Sequence, residues 1–140
     1  MNVFRRPTVL LLAAPVIATV LPLATATPAS AETSMSITSV FRGSSNSVTV
    51  SGTYACDGEG YPSSVGVSVE NTDNDSRVFG ATPYAPVCDG SPHSFRVTAN
   101  KRVSPTPVSF RSGDTAFVTA YLADSRTGYS FVEDSGYYDL

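Results

Sequence analysis

The chain has 140 residues, nine of them basic and twelve acidic, with a formal net charge of −3. That length holds a single domain. Beyond Arg5-Arg6, the longest basic run is Lys101-Arg102, too short a cluster to hold phosphate backbones or anionic lipid, so neither nucleic acid nor a charged membrane surface is an expected partner.

The N-terminus has the three parts of an export signal: Arg5 and Arg6, an apolar stretch from Val9 to Leu23, and the small residues Ala29-Ser30-Ala31. Pro15 and Pro22 interrupt the stretch, which falls short of the ~20 apolar residues of a membrane span. Residues 1–31 are therefore read as a signal peptide and 32–140 as a secreted mature domain starting at Glu32, with no membrane attachment after cleavage. Cleavage removes two arginines and no acid, leaving seven basic residues against twelve acids and a charge of −5.

Cys56 and Cys88 are the only cysteines, and both lie in the exported part. An even count in an oxidising compartment favours pairing over two free thiols. Closing the loop between them stabilises a domain of this size by roughly 3–4 kcal/mol in the chain-entropy account. Each cysteine is followed by Asp-Gly, which places both where a strand gives way to a turn.

Along the mature chain the apolar pattern has period 2. Met35, Ile37 and Phe41 alternate with Ser36 and Thr38 in a first strand. Val48, Val50, Tyr54 and Cys56 then share a face against Thr49, Ser51, Thr53 and Ala55, with Gly52 a candidate bulge. A turn from Asp57 to Pro62 leads to Val65, Val67 and Val69, and a polar turn follows from Asn71 to Asp75. Arg77 to Gly80 makes a short strand, and Pro83 and Pro86 make the approach to Cys88 irregular.

Phe95, Val97 and Ala99 alternate in the next strand, before an exposed loop around Pro105 and Pro107. Thr115 to Ala123 is apolar on both faces, as expected of a central strand, and Tyr129 to Tyr138 supplies the last. Seven or eight short strands with no helical period predict an all-β, Ig-like antiparallel sandwich with one disulfide. A small closed β-barrel is the structural alternative.

Gly113-Asp114-Thr115-Ala116-Phe117-Val118-Thr119-Ala120-Tyr121 resembles the entry to a late strand in Ig-like and fibronectin-like domains. Together with the leader, Gly52 to Cys56 and Cys88 to Gly90, it makes the chain similar to the small exported single-disulfide proteins of actinobacteria, families grouped as domains of unknown function. A fainter resemblance is to the apoproteins that carry enediyne antibiotics, acidic Ig-like domains with two disulfides. These resemblances imply compartment and fold, and they transfer no functional residue.

Chemistry-bearing residues are few. His93 is the only histidine, so any Ser-His or Cys-His arrangement has one possible base, and no serine sits in a Gly-x-Ser-x-Gly elbow. With both cysteines oxidised, too few ligands remain for zinc. Asp73-Asn74-Asp75 and Asp57-Gly58-Glu59 place oxygens in turns without matching a twelve-residue calcium loop. The acid pairs Glu133-Asp134 and Asp57/Glu59 read as solvated turn residues rather than a glycosidase pair. Asn74-Asp75-Ser76 matches a glycosylation sequon.

Seven tyrosines and no tryptophan point to contact rather than catalysis. Tyr129, Phe131, Tyr137 and Tyr138 crowd the C-terminus and form the candidate binding face. The expected function is a secreted, non-catalytic binding domain without cofactor or metal, its partner an extracellular protein, a small hydrophobic ligand or cell-wall glycan. The alternative is a small extracellular hydrolase or a protease inhibitor docking through Val103 to Val108.

Overall fold

A computed structural model of the chain describes residues 32–58, 62–103, 107–124, 126–127 and 130–140. The expected leader, residues 1–31, lies outside them. Alternation of Val with Ser and Thr is realised as strands that bury one side and expose the other. In β2 (Ser47–Ala55) Val48 and Val50 are buried. The same holds for Val65, Val67 and Val69 in β3 (Ser64–Asn71) and for Phe95, Val97 and Ala99 in β5 (His93–Ala99).

These strands form two antiparallel sheets. One has the order β1-β2-β5, where β1 is Ser34–Ser44. The other has the order β6-β4-β3-β7-β8, with β4 at Arg77–Ala81, β6 at Lys101–Arg102, β7 at Thr115–Ala123 and β8 at Ser130–Asp139. The sheets face each other across a core of valines with Phe95, Phe110 and Leu122, and both remain open at their edges, so the barrel alternative does not hold. Two antiparallel sheets of three and five strands, with no helix among the described residues, make an all-β sandwich.

Two local expectations change. The bulge lies in β1, not at Gly52: the pairing runs Ile37↔Gly52 and then Ser39↔Ser51, leaving Thr38 as the extra residue. One extra residue reverses which side the following side chains take, so Val40 packs on the core and Phe41, expected inside, stands outward at 40% exposure. The Arg96 guanidinium covers its ring at 5.2 Å. Gly52 pairs regularly with Phe95, and it is glycine because a Cβ there would meet the Ser36 carbonyl at 2.1 Å and the Phe95 ring at 2.6 Å.

The second concerns Asn71, read as the start of a polar turn. It closes β3 fully buried. Its amide donates to the Ser109 carbonyl at 3.1 Å and to Asp114 Oδ2 at 2.6 Å, satisfying a polar group that would otherwise be costly to bury. The C-terminal residue is held at the same end, with Leu140 N–H donating to the Asp114 carbonyl at 2.9 Å.

The Cys56–Cys88 disulfide is formed, with Cα atoms 4.6 Å apart. Cys56 directly follows β2, and Cys88 lies in the crossover from β4 to β5. Gly90 N–H donates to the Cys56 carbonyl at 2.9 Å, and Val87 N–H to the Tyr54 hydroxyl at 3.1 Å. Tyr54 of β2 and Cys56 just after it thus grip the crossover by three separate links.

Candidate functional site

The outward face of the five-stranded sheet gathers aromatic side chains from three strands. Pairing of β3, β4, β7 and β8 aligns them in rows. The first runs Arg77, Glu70, Phe117, Tyr137. The second runs Phe79, Ser68, Thr119, Ser135, with Lys101 of β6 beside Phe79. The third runs Ala81, Gly66, Tyr121, Glu133.

Tyr137 is 71% exposed, and its ring lies 5.0 Å from that of Phe117, tilted by 52°. Phe79 is 37% exposed under the Lys101 ammonium, 5.8 Å from its centroid. Tyr121 lies flat over Gly66, where a Cβ would meet the ring at 2.3 Å. Arg77 forms an ion pair with Glu70. The result is a broad, shallow surface of rings around a hydroxyl row, with cations on the β4 and β6 flank and Glu133 and Asp139 on β8.

A family model described as a family of unknown function (DUF6299) matches residues 31–129. The chain belongs to the DUF6299 family. No curated protein and no solved structure matches it. The match to DUF6299 spans β1 to β7 and stops before β8, so it includes Phe79, Phe117 and Tyr121 and ends short of Tyr137.

Of the four C-terminal aromatics expected to make a face, strand alternation sends Tyr137 outward and Tyr138 inward against the core. Tyr129 and the side chain of Phe131 lie outside the described residues. Sequence reasoning missed Phe79 and the partnering of Phe117 with Tyr137. The available signal was the second face of β7, where Phe117 and Tyr121 recur at spacing four on the side away from the core.

The other candidates are held in structural roles. His93 Nε2 lies 2.8 Å from Asp89 Oδ1, and its ring stacks on Tyr54 at 5.6 Å. An ionised carboxylate only accepts, so Nε2 carries the proton in this pair. The bond to His93, followed by the Ser91 N–H, holds the Asp89 carboxyl below its ordinary value. No serine hydroxyl bonds His93 among the described residues.

Glu133 and Asp134 separate to opposite faces of β8, and Asp134 Oδ2 accepts the Ile37 N–H at 2.7 Å. Asp73 Oδ2 accepts the Thr115 N–H at 3.0 Å, and Asn74 donates to the Ser109 carbonyl at 2.9 Å. Glu59 lies outside the described residues, among which no group of three metal-ligating side chains occurs. Among the described residues, one solvent-open cleft of about 340 Å³ is lined by Glu70, Asp75, Arg77 and Val103, and another of about 250 Å³ by Asn46, Asn100, Arg102, Pro107 and Val108.

The Pro-braced loop shows Val103 exposed and Val108 packed on the core, while residues 104–106 lie outside the description. The braced loop that is described is instead Thr82–Cys88. It carries Pro83 and Pro86, exposes Tyr84 and Val87, and is pinned by the disulfide and the Tyr54 hydroxyl.

Proposed function

We propose that the protein is a secreted, non-catalytic binding domain whose recognition surface is the outward face of the five-stranded sheet. The observation that carries this reading is the Phe117–Tyr137 ring pair, with Tyr137 71% exposed on the same face as Phe79 and Tyr121. Exposed aromatics grouped on one sheet face are the composition of contact surfaces, where a ring brings area at low conformational cost. The breadth and shallowness of the face favour a macromolecular partner over an enclosed small hydrophobic ligand. Secretion is supported by the closed disulfide and by a family match that begins at Ala31, at the expected cleavage site.

The test is retention of the disulfide-intact protein on extracellular proteins and on insoluble cell-wall polysaccharide, with Tyr137→Ala and Phe79→Ala alongside. Retention lost in both variants is expected. Retention unchanged in both would remove the sheet face from the proposal, and hydrolytic activity abolished by His93→Ala would replace binding with catalysis.

The second reading is a hydrolase inhibitor, favoured by the rigid, exposed Thr82–Cys88 loop, since a braced loop loses little freedom on docking. Inhibition of a serine endopeptidase by the protein, weakened by Tyr84→Gly, would support it. Rapid cleavage of the loop without inhibition would exclude it.

A further inference from the structure

The outward face of the five-stranded sheet carries opposite charges on its two flanks. Arg77 and Lys101 stand on the β4 and β6 side, and Glu133 and Asp139 on β8, with the rings and the Ser68-Thr119-Ser135 row between. Arg77 and Glu70 of β3 neutralise each other, so Lys101 carries the net positive charge of that flank. Resting on the reading of this face as the recognition surface, we propose that its partner is a second copy of this chain, packed face to face about a two-fold axis parallel to the strands.

The charges choose the axis. A two-fold axis in the plane of contact but perpendicular to the strands, passing through the middle row, would set β4 against β4 and β6 against β6 and bring Lys101 onto Lys101, a like-charge clash. An axis running along the strands between β3 and β7 sets β4 of one copy against β8 of the other. Each cationic flank then meets the acidic flank of its mate, twice by symmetry. Arg77 and Tyr137 share a row, so the guanidinium falls opposite the exposed ring of the second copy, a cation–π arrangement.

The other sheet offers no such match. The outward residues of β2 and β5 are Ser47, Thr49, Ser51, Thr53, Ala55, Ser94, Arg96 and Thr98, with no acid among them.

Size sets the strength. Four strands spaced ~4.8 Å apart and about eight residues long give a footprint of roughly 500 Å² per copy, about 1,000 Å² in all, the lower limit for a specific contact. The pair is therefore weak and reversible, with aromatic anchors at its centre and charges at its rim.

The experiment is the solution mass of the secreted, disulfide-intact protein by sedimentation and light scattering, from low micromolar to near-millimolar concentration. The expected result is a rise from one chain to two and no further. Tyr137→Asp changes an exposed side chain and should weaken pairing roughly tenfold or more, the effect of losing an anchor. Lys101→Glu and Glu133→Lys should each weaken it, and the two together should restore it.

A single-chain mass at every concentration would overturn the proposal, as would pairing indifferent to Tyr137→Asp, a double exchange no better than either single, or growth beyond two chains. A single-chain protein that still loses extracellular retention on Tyr137→Ala would end self-pairing and leave the binding-domain reading standing. Pairing accompanied by retention that Tyr137→Ala and Phe79→Ala both leave unchanged would do the reverse.

Discussion

The carboxylate of Asp134 in β8 accepts the backbone N–H of Ile37 in β1 at 2.7 Å, joining the edges of the two sheets across 97 residues of sequence. Ile37 stands immediately before the β1 bulge, where the ladder register shifts. A charged acceptor on a part-buried donor contributes about 1.5–3 kcal/mol. Asp134→Ala should lower stability by about 2 kcal/mol, and Asp134→Asn by less because an acceptor remains. Urea unfolding measures this as a lower midpoint at unchanged slope.

Gly52→Ala tests the packing between β1 and β5. The added carbon would lie 2.1 Å from the Ser36 carbonyl and 2.6 Å from the Phe95 ring, which is 4% exposed. Overpacking of this kind costs about 1–3 kcal/mol. A melting temperature equal to wild type would contradict the closeness of these contacts.

Asp89 governs part of the acid limb. Its folded-state carboxyl titrates below the ordinary 3.8, first because of its bond to His93. Its contribution to stability is complete above 3.8 and is lost as the pH falls below that value, because the unfolded chain takes up the proton first. Asp89→Asn and His93→Ala should each make acid unfolding less steep. Titrations followed by circular dichroism would record the difference, and identical curves would remove the pair from the account.

Tyr138 acts at the opposite limb. Burial raises its hydroxyl above 10.0, and the Asp134 carboxylate adds to the shift. The fold therefore favours the neutral phenol, and stability declines as the pH climbs past 10.0, where the unfolded chain ionises first. Tyr138→Phe should flatten that decline in urea midpoints taken on either side of pH 10.0.

Much of this architecture is legible in the sequence because period-2 burial needs only near neighbours. Val48 and Val50, Val65 to Val69, Phe95 to Ala99 and Ala116 to Leu122 all follow it. What escapes depends on partners far along the chain. Nothing at Thr38 marks a bulge, so unbroken alternation predicts Phe41 inside. Asn71 resembles any turn residue until Asp114 comes beside it. Tyr137 stands out in the sequence only as one of several tyrosines near the C-terminus, while its neighbours on the sheet are Phe117, twenty residues earlier, and the rows of β3 and β4 beyond it.

Cys56 and Cys88 close a covalent ring around the excursion that carries β3 and β4 out of one sheet and back again. A peptide bond cut anywhere in that excursion, including beside the exposed Tyr84, leaves both pieces joined through sulfur. Outside a cell, where endopeptidases attack exposed loops first, the bond turns a severed backbone into a nick. The nicked chain keeps its two ends tethered and its strands paired, and the wound shows only when the sulfurs are reduced.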